Sequence, residues 1–289
     1  MNREFLRASG AVAPGVRPSP IAGQWYPGKP DQLRERVQAF LAAAQVTPLD
    51  GRLVALVAPH AGHVYSGGVA ACAYRLVQGL HYEVVVIVAP NHRIPNYAPY
   101  LTTDHSAYWT PLGQVSVADE LVTALDARLS LSRIKRDEEH SLEIQLPFLQ
   151  VALTGGFELL PVMLNDSSRA ACYALAEALA DLLRDRNALL VASTDLSHFY
   201  DAATAARLDG AVTERIAAFD PEGLLAVLDS GKGQACGGGP TVAVMLAARA
   251  LGANRAKLLK YATSGDITGD YHSVVGYAAA ALYQEAEKN

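Results

Sequence analysis

Four apolar runs, each stopping abruptly at turn-forming or polar residues, constrain the fold of this 289-residue chain more than any other feature. The first run, Leu53 to Ala58, ends at Pro59-His60-Ala61-Gly62, and the others cover Glu83 to Ala89, Phe157 to Leu164 and Ala188 to Ser193. Apolar runs bounded in this way are typical of strands that are buried on both faces. Because helical patterns separate the runs, the sequence predicts an α/β fold with a largely parallel sheet.

Histidines and an aspartate follow three of these predicted strands. His60 follows the first strand, His92 follows the second, and Asp195 and His198 follow the fourth. In open α/β sheets, ligands bind in the crevice outside the carboxyl ends of the strands. A single loop histidine is usually structural, but three histidines at equivalent positions favour a shared site. Since neutral imidazole is a common ligand of transition metals, the pattern predicts a metal centre.

Cys236 lies in a glycine-rich loop, Gln234 to Pro240, that precedes an apolar helical pattern. Pro240 is typical of a helix start, so we expect Cys236 near a helix amino terminus, where the dipole favours a thiolate. With His60 and His92, the thiolate would complete a soft three-ligand set that has an open position. A cysteine nucleophile working with a nearby histidine is the alternative reading of the same residues.

Asp195 and His198 suggest a second role at the same edge. An imidazole held near a carboxylate is the usual arrangement of a general acid or base, although Asp195 also suits the cap of the following helix. His140 and Glu143 would share one helix face, or else lie in a solvated turn. His63 is either a hydrogen-bond donor behind the ligands or a residue of the rim. The remaining histidines are read as surface or loop residues: His81, His105 and His272.

Composition narrows the class of protein. The chain is 51% hydrophobic with a net charge of -5, so it has no basic surface for nucleic acid or an anionic membrane. No apolar stretch reaches the roughly 18 to 20 residues of a membrane span, and the first residues lack the apolar centre of a secretory signal. We expect a cytoplasmic protein whose three cysteines are reduced thiols. GxxxxGK[ST], GxGxxG and GxSxG motifs are absent, which disfavours the nucleotide-binding and serine-hydrolase classes.

The domain organisation predicted from the sequence is simple. Residues 1–15 are small, apolar and turn-prone, which predicts a loose N-terminal tail. No repeat, low-complexity linker or break in composition follows, so residues 16–289 are expected to form a single α/β domain.

Motifs along nearly the whole chain, from about Pro18 to Tyr283, support a more specific reading. They are, in order, AGQWYPG, LVALVAPHAGHVYSG, VVVIVAPNH, DEEHSLEIQLPFL, LLPVMLND, ASTDLSH, ACGGGP and YATSGDITGDYHSVVGYAA. Together they resemble the Memo family, whose bacterial and archaeal members are called AmmeMemoRadiSam system protein B. The family is similar in fold to class III extradiol dioxygenases, non-haem iron enzymes that open catechol rings. The resemblance therefore implies a three-layer αβα fold with a central mixed, largely parallel sheet.

The resemblance also implies roles for individual residues. It makes His60, His92 and Cys236 the metal ligands, for iron or copper, and it places Asp195 and His198 as an acid/base pair. Extradiol enzymes complete two histidines with a carboxylate, whereas a cysteine stands here. Cysteine in place of the carboxylate favours softer ions such as Cu(I) over the iron(II) that the dioxygenases use.

The leading functional hypothesis is a metal-binding redox protein or a non-haem dioxygenase-like enzyme, acting on an unknown small molecule or peptide. The excursion from Tyr97 to Trp109 would shape its pocket. The alternative is a non-catalytic scaffold that uses the same pocket to bind a peptide or a partner protein. The family's bacterial name further implies action alongside a radical-SAM protein and a second small partner. A cysteine hydrolase is the least favoured reading.

Overall fold

The computed structural model describes residues 13–94 and 98–286 of the chain. Most of the predicted tail, residues 1–15, lies outside this range, and so does Tyr97 at the start of the predicted pocket excursion. The strands are β1 (Val16–Arg17), β2 (Gly51–Ala58), β3 (Val84–Pro90), β4 (Tyr100–Thr103), β5 (Ala107–Thr110), β6 (Gly113–Ser116), β7 (Ser132–Ile134), β8 (Glu158–Leu164), β9 (Ala188–Ser193), β10 (His198–Tyr200), β11 (Arg255–Thr263) and β12 (Val274–Glu285).

Helices alternate with the strands through most of the chain. They are α1 (Pro30–Ala43), α2 (His63–Tyr74), α3 (Asp119–Leu129), α4 (Leu146–Ala152), α5 (Arg169–Leu183), α6 (Ala202–Ala217), α7 (Pro221–Asp229), α8 (Gly238–Ala250) and the short α9 (Gly265–Thr268). Single 3₁₀ turns lie at Arg75–Val77 and Glu143–Gln145. None of the helices in the described ranges is both long and apolar enough to cross a bilayer.

Within the described residues, nine strands form one mixed sheet in the order β10-β12-β2-β9-β3-β8-β4-β7, with β11 pairing to β12. Its centre, β2-β9-β3-β8, is parallel, while β12 and β4 run antiparallel to their neighbours in that centre. These central strands are almost wholly buried, which explains their unbroken apolar sequences. The parallel centre brings the carboxyl ends of β2, β9 and β3 to one edge, side by side.

Helices form a layer on each side of this sheet, so the architecture is three-layer αβα. On one side α1, α2 and α4 pack together, and on the other α8 packs between α5 and α7, with α3 and α6 at the ends. Helix α1 shows why the sequence folds in this way, because Leu33, Val37 and Leu41 recur at helical spacing and are its buried residues. One continuous cluster of buried apolar side chains runs through all three layers.

Most predicted elements agree with the structure. The apolar run Ala188 to Ser193 is strand β9, as predicted. The sequence also predicts helices over Asp119 to Leu129 and about Pro221 to Asp229, which are α3 and α7, and a closing strand pair, which β11 and β12 form. After Ser66-Gly67-Gly68 the sequence predicts a helix from Val69 to Gln78, but the helix begins six residues earlier, at His63. Glycine lowers helix propensity, so the pattern around Gly67 and Gly68 does not indicate a helix. The structure explains Gly67, because a Cβ there would lie 2.6 Å from the Phe40 ring. The glycine therefore lets α2 approach α1 closely.

One expectation was wrong. The acidic residues from Asp137 to Glu143 suit a helix amino terminus through the helix dipole, and they predict a helix start in this segment. The chain is irregular up to Leu142, and α4 begins only at Leu146. The carboxylates of Asp137, Glu139 and Glu143 are buried and hydrogen-bonded to Arg17 or to backbone amides. Specific partners within the protein, rather than a helix dipole, decided the conformation of this segment.

Candidate metal centre

Three of the predicted site residues meet at the carboxyl edge of the sheet. His60 follows β2, His92 follows β3, and Cys236 reaches them from the loop before α8. One ligand atom from each, two imidazole nitrogens and the thiol sulfur, lies within 4.8 Å of the others. The Sγ atom of Cys236 is 3.1 Å from Nε2 of His60. We call His60, His92 and Cys236 the His–Cys cluster.

A hydrogen-bond chain behind His60 fixes its protonation state. The hydroxyl of Ser193 donates its single proton to the carbonyl of Ser141, 2.5 Å away, because a carbonyl only accepts. Gln145 Nε2 donates to the same hydroxyl, so Nδ1 of His60, 3.1 Å from Ser193 Oγ, must also donate. The proton of His60 is therefore on Nδ1, and the Nε2 lone pair faces Cys236. Metal-ligating histidines are oriented by hydrogen bonds of this kind.

Glu139 does the same for His92. The carboxylate of Glu139 is buried and accepts from His92 Nδ1 at 3.2 Å, as well as from the backbone amide of His92. Nε2 of His92 is thereby left as a lone-pair donor. Burial opposes ionisation of Glu139, but the imidazoles of His140 and His92 outweigh it and hold the pKa of this carboxyl well below its usual range. Both imidazoles of the His–Cys cluster are thus held in place through hydrogen bonds from their Nδ1 atoms.

The Cys236 loop lies unusually close to the end of β9. The backbone amide of Gly237 donates to Thr194 Oγ1 at 3.0 Å, and the amide of Asp195 lies 3.3 Å from the Cys236 sulfur. A Cβ at Gly237 would be only 2.2 Å from the carbonyl oxygen of Ser193, so no larger residue fits without a shift of the backbone. The glycines after Cys236 therefore serve close approach rather than phosphate binding.

The surroundings of Cys236 oppose the thiolate that its place before a helix predicts. Burial, and next the carboxylate of Asp195, raise the pKa of the Cys236 thiol above its ordinary value, although α8 begins two residues later. Burial together with the neighbouring imidazoles of His140 and His92 lowers the pKa of His60. The helix dipole was expected to dominate, but desolvation is the larger effect at a buried sulfur. The surroundings of Cys236 and His60 thus favour a neutral thiol and a neutral imidazole.

Asp195 and His198 lie where the sequence placed them, at the exit of β9 and in β10, and both line the pocket. Oδ1 of Asp195 accepts from the backbone amides of His60, at 2.8 Å, and Ala61, at 3.3 Å. No hydrogen bond joins Asp195 to the His198 imidazole in the part of the chain that the structure describes, so the acid/base pairing stays a prediction. Burial raises the pKa of Asp195 to about 7 and lowers that of His198.

The sequence missed His140 and Glu139 as residues of this site. The His140 ring stacks on His92, with centroids 5.0 Å apart, and packs against Trp25 at 4.2 Å. His140 Nδ1 is 3.0 Å from Glu139 Oε1, within ion-pair distance, although it forms no hydrogen bond with the described residues. The acidic run directly before His140 was the available signal, since carboxylates commonly orient ligand histidines.

His92, Glu139 and His140 form a second group with ligand atoms at metal-binding separations. Glu139 is a poor ligand, however, because its two oxygens already accept backbone amide protons from His92, Arg93, His140 and Ser141. A metal ion there would have to displace those bonds. In the His–Cys cluster, the hydrogen-bond contact of His60 Nε2 is the Cys236 sulfur at 3.1 Å, which is itself a ligand of the same set, so this cluster is the better candidate.

Arg17 anchors the loop that carries Glu139 and His140. Its fully buried guanidinium donates to Asp137 Oδ2 at 2.6 Å, to Glu143, and to the carbonyl of Glu139. Glu143 also accepts from Tyr26 at 2.5 Å. We call Arg17, Asp137 and Glu143 the Arg17 cluster. Single-sequence patterns could not have found it, because Arg17 lies 120 residues from Asp137 and 126 from Glu143.

The other histidines stand outside the centre. His63, which the sequence allowed as a donor behind the ligands, is buried against Tyr26, Phe40 and Phe148 and hydrogen-bonds the Ile144 carbonyl at 3.3 Å. Its Nδ1 atom has no partner. His81 and His272 are exposed, and His105 is half-buried in a loop.

A cavity of about 680 Å³ opens above the His–Cys cluster. Its floor includes His60, His92, His140 and Asp195, and its walls include Trp25, Arg93, His198 and Tyr277. Two imidazoles with oriented lone pairs and one thiol form a donor set suited to copper or iron. The residues therefore fit a transition-metal ion that faces a pocket large enough for an organic ligand.

Comparison with known proteins is consistent across nearly the whole chain. The family described as Memo-like protein matches residues 17–281. A MEMO1 family protein of Methanopyrus kandleri is 38% identical over 273 residues, covering 90% of this chain and 96% of the relative. MEMO1 family proteins of Thermotoga neapolitana and Nitrosopumilus maritimus are 38% and 35% identical, covering 92% and 91% of this chain and 99% and 98% of the relatives.

Proposed function

This chain belongs to the Memo family, and we propose that it is a metal-binding protein in which His60, His92 and Cys236 hold iron(II) or copper. One observation carries the proposal. Both histidines are held through Nδ1, by Ser193 and Glu139, and ligand atoms of His60, His92 and Cys236 lie within 4.8 Å of one another, which supports a shared metal ion. A cysteine in place of a carboxylate favours the softer ion, Cu(I), and its thiol would lose its proton to solvent when the ion binds.

The activity that we propose is redox chemistry of a dioxygenase-like kind on a small molecule or peptide. The bound ion would supply electron transfer or Lewis acidity. Trp25 and Tyr277 line the pocket and would exclude water from the bound ligand. His198, which lines the same pocket, would take or give a proton through its imidazole, and Asp195 would hold the His60 backbone in place.

Metal analysis of protein purified without chelators tests the proposal. We expect one equivalent of iron or copper in the wild type and none in the triple variant His60→Ala, His92→Ala, Cys236→Ser. The matched control is His81→Ala, His272→Ala, which removes two exposed imidazoles and should leave the stoichiometry unchanged. Equal metal content in the wild type and the triple variant would contradict the assignment.

A non-catalytic scaffold is the alternative within the same family. In that case the protein would retain the metal, turn nothing over, and bind a peptide or partner protein in the pocket. A peptide that competes for the pocket without any turnover favours this reading. The radical-SAM protein and the second small protein suggested by the family's bacterial name are proposed partners, and the cytoplasm is the proposed location. Co-purification from cells that express all three proteins tests the partnership.

The 3.1 Å contact between Cys236 Sγ and His60 Nε2 also meets the first geometric requirement of a cysteine nucleophile. The protonation states oppose that function, however. The pKa of the thiol is raised by burial and by Asp195, and that of His60 is lowered by burial, whereas a reactive pair needs a thiolate and an imidazolium. Failure of a thiol-alkylating reagent to abolish activity would eliminate this candidate.

A further inference from the structure

One wall of the pocket carries an aromatic side chain that folding does not require. Phe199 is 76% exposed and has a φ of 65°, in the left-handed region that bulky residues rarely adopt. It lies in β10 where the pairing with β12 shifts register between His198 and Tyr200. Phe199 lines the pocket, and its ring centroid is 5.8 Å from that of His198. Outliers of this kind persist where the surrounding structure holds them, often at ligand sites.

Other aromatic rings continue this apolar surface around the pocket. Tyr65, in the first turn of α2, is 46% exposed, and Trp25 and Tyr277 line the same cavity. These rings come from separate parts of the chain, so their convergence results from the fold. Pockets for organic ligands have this composition, with mainly apolar walls and a few polar groups that fix orientation.

Arg93 provides a cation at the edge of this apolar wall. It directly follows His92, and its backbone amide is held by Glu139 at 3.1 Å. The guanidinium lies 5.8 Å from the centroid of the Trp25 ring. In residues 13–94 and 98–286, no carboxylate forms an ion pair with it, whereas the neighbouring Arg136 pairs with Glu138 at 3.1 Å. The cavity's exposed carboxylate, Asp270, already accepts the His272 amide at 2.9 Å.

We propose that the pocket binds a small organic anion, with its apolar body along Phe199 and Tyr65 and its carboxylate at Arg93. This inference rests on the proposed function, because it names the class of ligand that the pocket beside the proposed metal site would bind. It does not require a bound ion, because Arg93 itself supplies the positive charge. A guanidinium pairs well with a carboxylate and is already oriented here by its contact with Trp25. The cavity of about 680 Å³ is large enough for a bicyclic molecule.

Two probes of equal shape test the charge requirement. The first is 2-naphthoate and the second is 2-naphthamide, its uncharged counterpart, and both are titrated calorimetrically into metal-free and metal-loaded protein. We expect the wild type to bind 2-naphthoate about tenfold more tightly than 2-naphthamide in both forms. Arg93→Gln should remove that preference without changing the affinity for 2-naphthamide. Arg136→Gln, which removes an exposed and paired guanidinium, is the matched control and should retain the preference.

Phe199→Asn tests the apolar wall separately. Asparagine tolerates the left-handed backbone conformation, so this variant removes the ring without adding strain. We expect it to weaken both probes by a similar factor and to keep their ratio. Equal affinity of the two probes for the wild type, a preference that survives Arg93→Gln, or no binding of either probe would overturn the proposal. Anion preference without metal binding would refute only the proposed function, and metal binding without anion preference would refute only this inference.

Discussion

The Arg17 cluster is buried, whereas of the His–Cys cluster only His60 is buried. The segment from Asp137 to Glu143 supplies the two carboxylates of the first cluster, and its Glu139 holds His92 of the second. In the Arg17 cluster, each charge meets an opposite charge, and the guanidinium bonds both Asp137 and Glu143. In the His–Cys cluster, Nδ1 of each histidine donates to Ser193 or to Glu139. The two imidazoles line the cavity, and the Cys236 sulfur contacts His60 Nε2 at 3.1 Å.

The difference shows how one loop serves both stability and binding. A buried ion pair needs both partners, because removal of one leaves the other charge buried without a counter-charge. A metal site needs the opposite arrangement, with donors held in place but free to bind a cation. Glu139 links the two regions, since its carbonyl accepts from Arg17 while its carboxylate orients His92. Three variants sharpen this comparison.

The largest effect is expected in the Arg17 cluster. Arg17→Met would leave the carboxylates of Asp137 and Glu143 buried without a counter-charge. We expect the free energy of unfolding to fall by about 3 to 5 kcal/mol in urea titrations at pH 7. Arg34→Met, at an exposed position of α1, is the control and should change it by less than about 0.5 kcal/mol. If Arg17→Met unfolded at the same urea concentration as the wild type, the Arg17 cluster would not stabilise the fold and the prediction would be wrong.

His63 is a buried histidine that belongs to neither cluster, and it should make the free energy of unfolding depend on pH. Burial lowers its pKa from 6.5 to about 4 in the folded protein. Between these values the unfolded chain takes up a proton that the folded protein does not, so stability falls as the pH drops from about 6.5 to about 4. The loss attributable to His63 should reach about 3 kcal/mol.

The variant His63→Phe should reduce this pH dependence. Phenylalanine suits a site formed by Tyr26, Phe40 and Phe148, and it has no proton to gain. Urea titrations at pH 7 and pH 4 should give a difference about 3 kcal/mol smaller in the variant than in the wild type. The exposed His81→Gln is the control and should behave as wild type. An unchanged pH dependence in His63→Phe would show that other groups are responsible.

The smallest effect concerns the orientation of His60. Ser193→Ala removes the acceptor of the His60 Nδ1 proton, and we expect metal affinity to fall by about 10- to 100-fold in competition with a chelator. Ser230→Ala, at the exposed end of α7, is the control and should bind as wild type. In the wild-type protein, ¹⁵N chemical shifts should show His60 protonated on Nδ1. A proton on Nε2 would contradict the hydrogen-bond chain.

The sequence predicted the strands around the candidate site and the residues that follow them. Buried parallel strands have unbroken apolar sequences, and their ends are marked by turn residues, so local patterns suffice to assign His60, His92 and Asp195 to one edge of the sheet. Cys236 followed from its glycine-rich loop and the helix start after it. Each of these signals is local, lying within a few residues of the side chain that it locates. The Memo-family motifs pointed to the same residues.

Tertiary structure decided which other side chains join them. His140 could equally have lain on a solvated turn, and only the irregular path from Asp137 to Leu142 brings it beside His92. His63, close to His60 in sequence, faces instead into the aromatic core, because α2 begins at that residue. The ionisation of Cys236 also depended on surroundings, since burial and Asp195 outweigh the helix end.

The sequence by itself therefore determined the sheet, its carboxyl edge and the candidate metal ligands, because local apolar patterns and turns specify strands and their ends. Only the tertiary structure decided how the ligands are oriented and charged. Those properties depend on partners far away in the chain, such as Ser193 for His60 and Glu139 for His92. The energy of a buried polar group is set by such partners, and no pattern along one sequence reveals them.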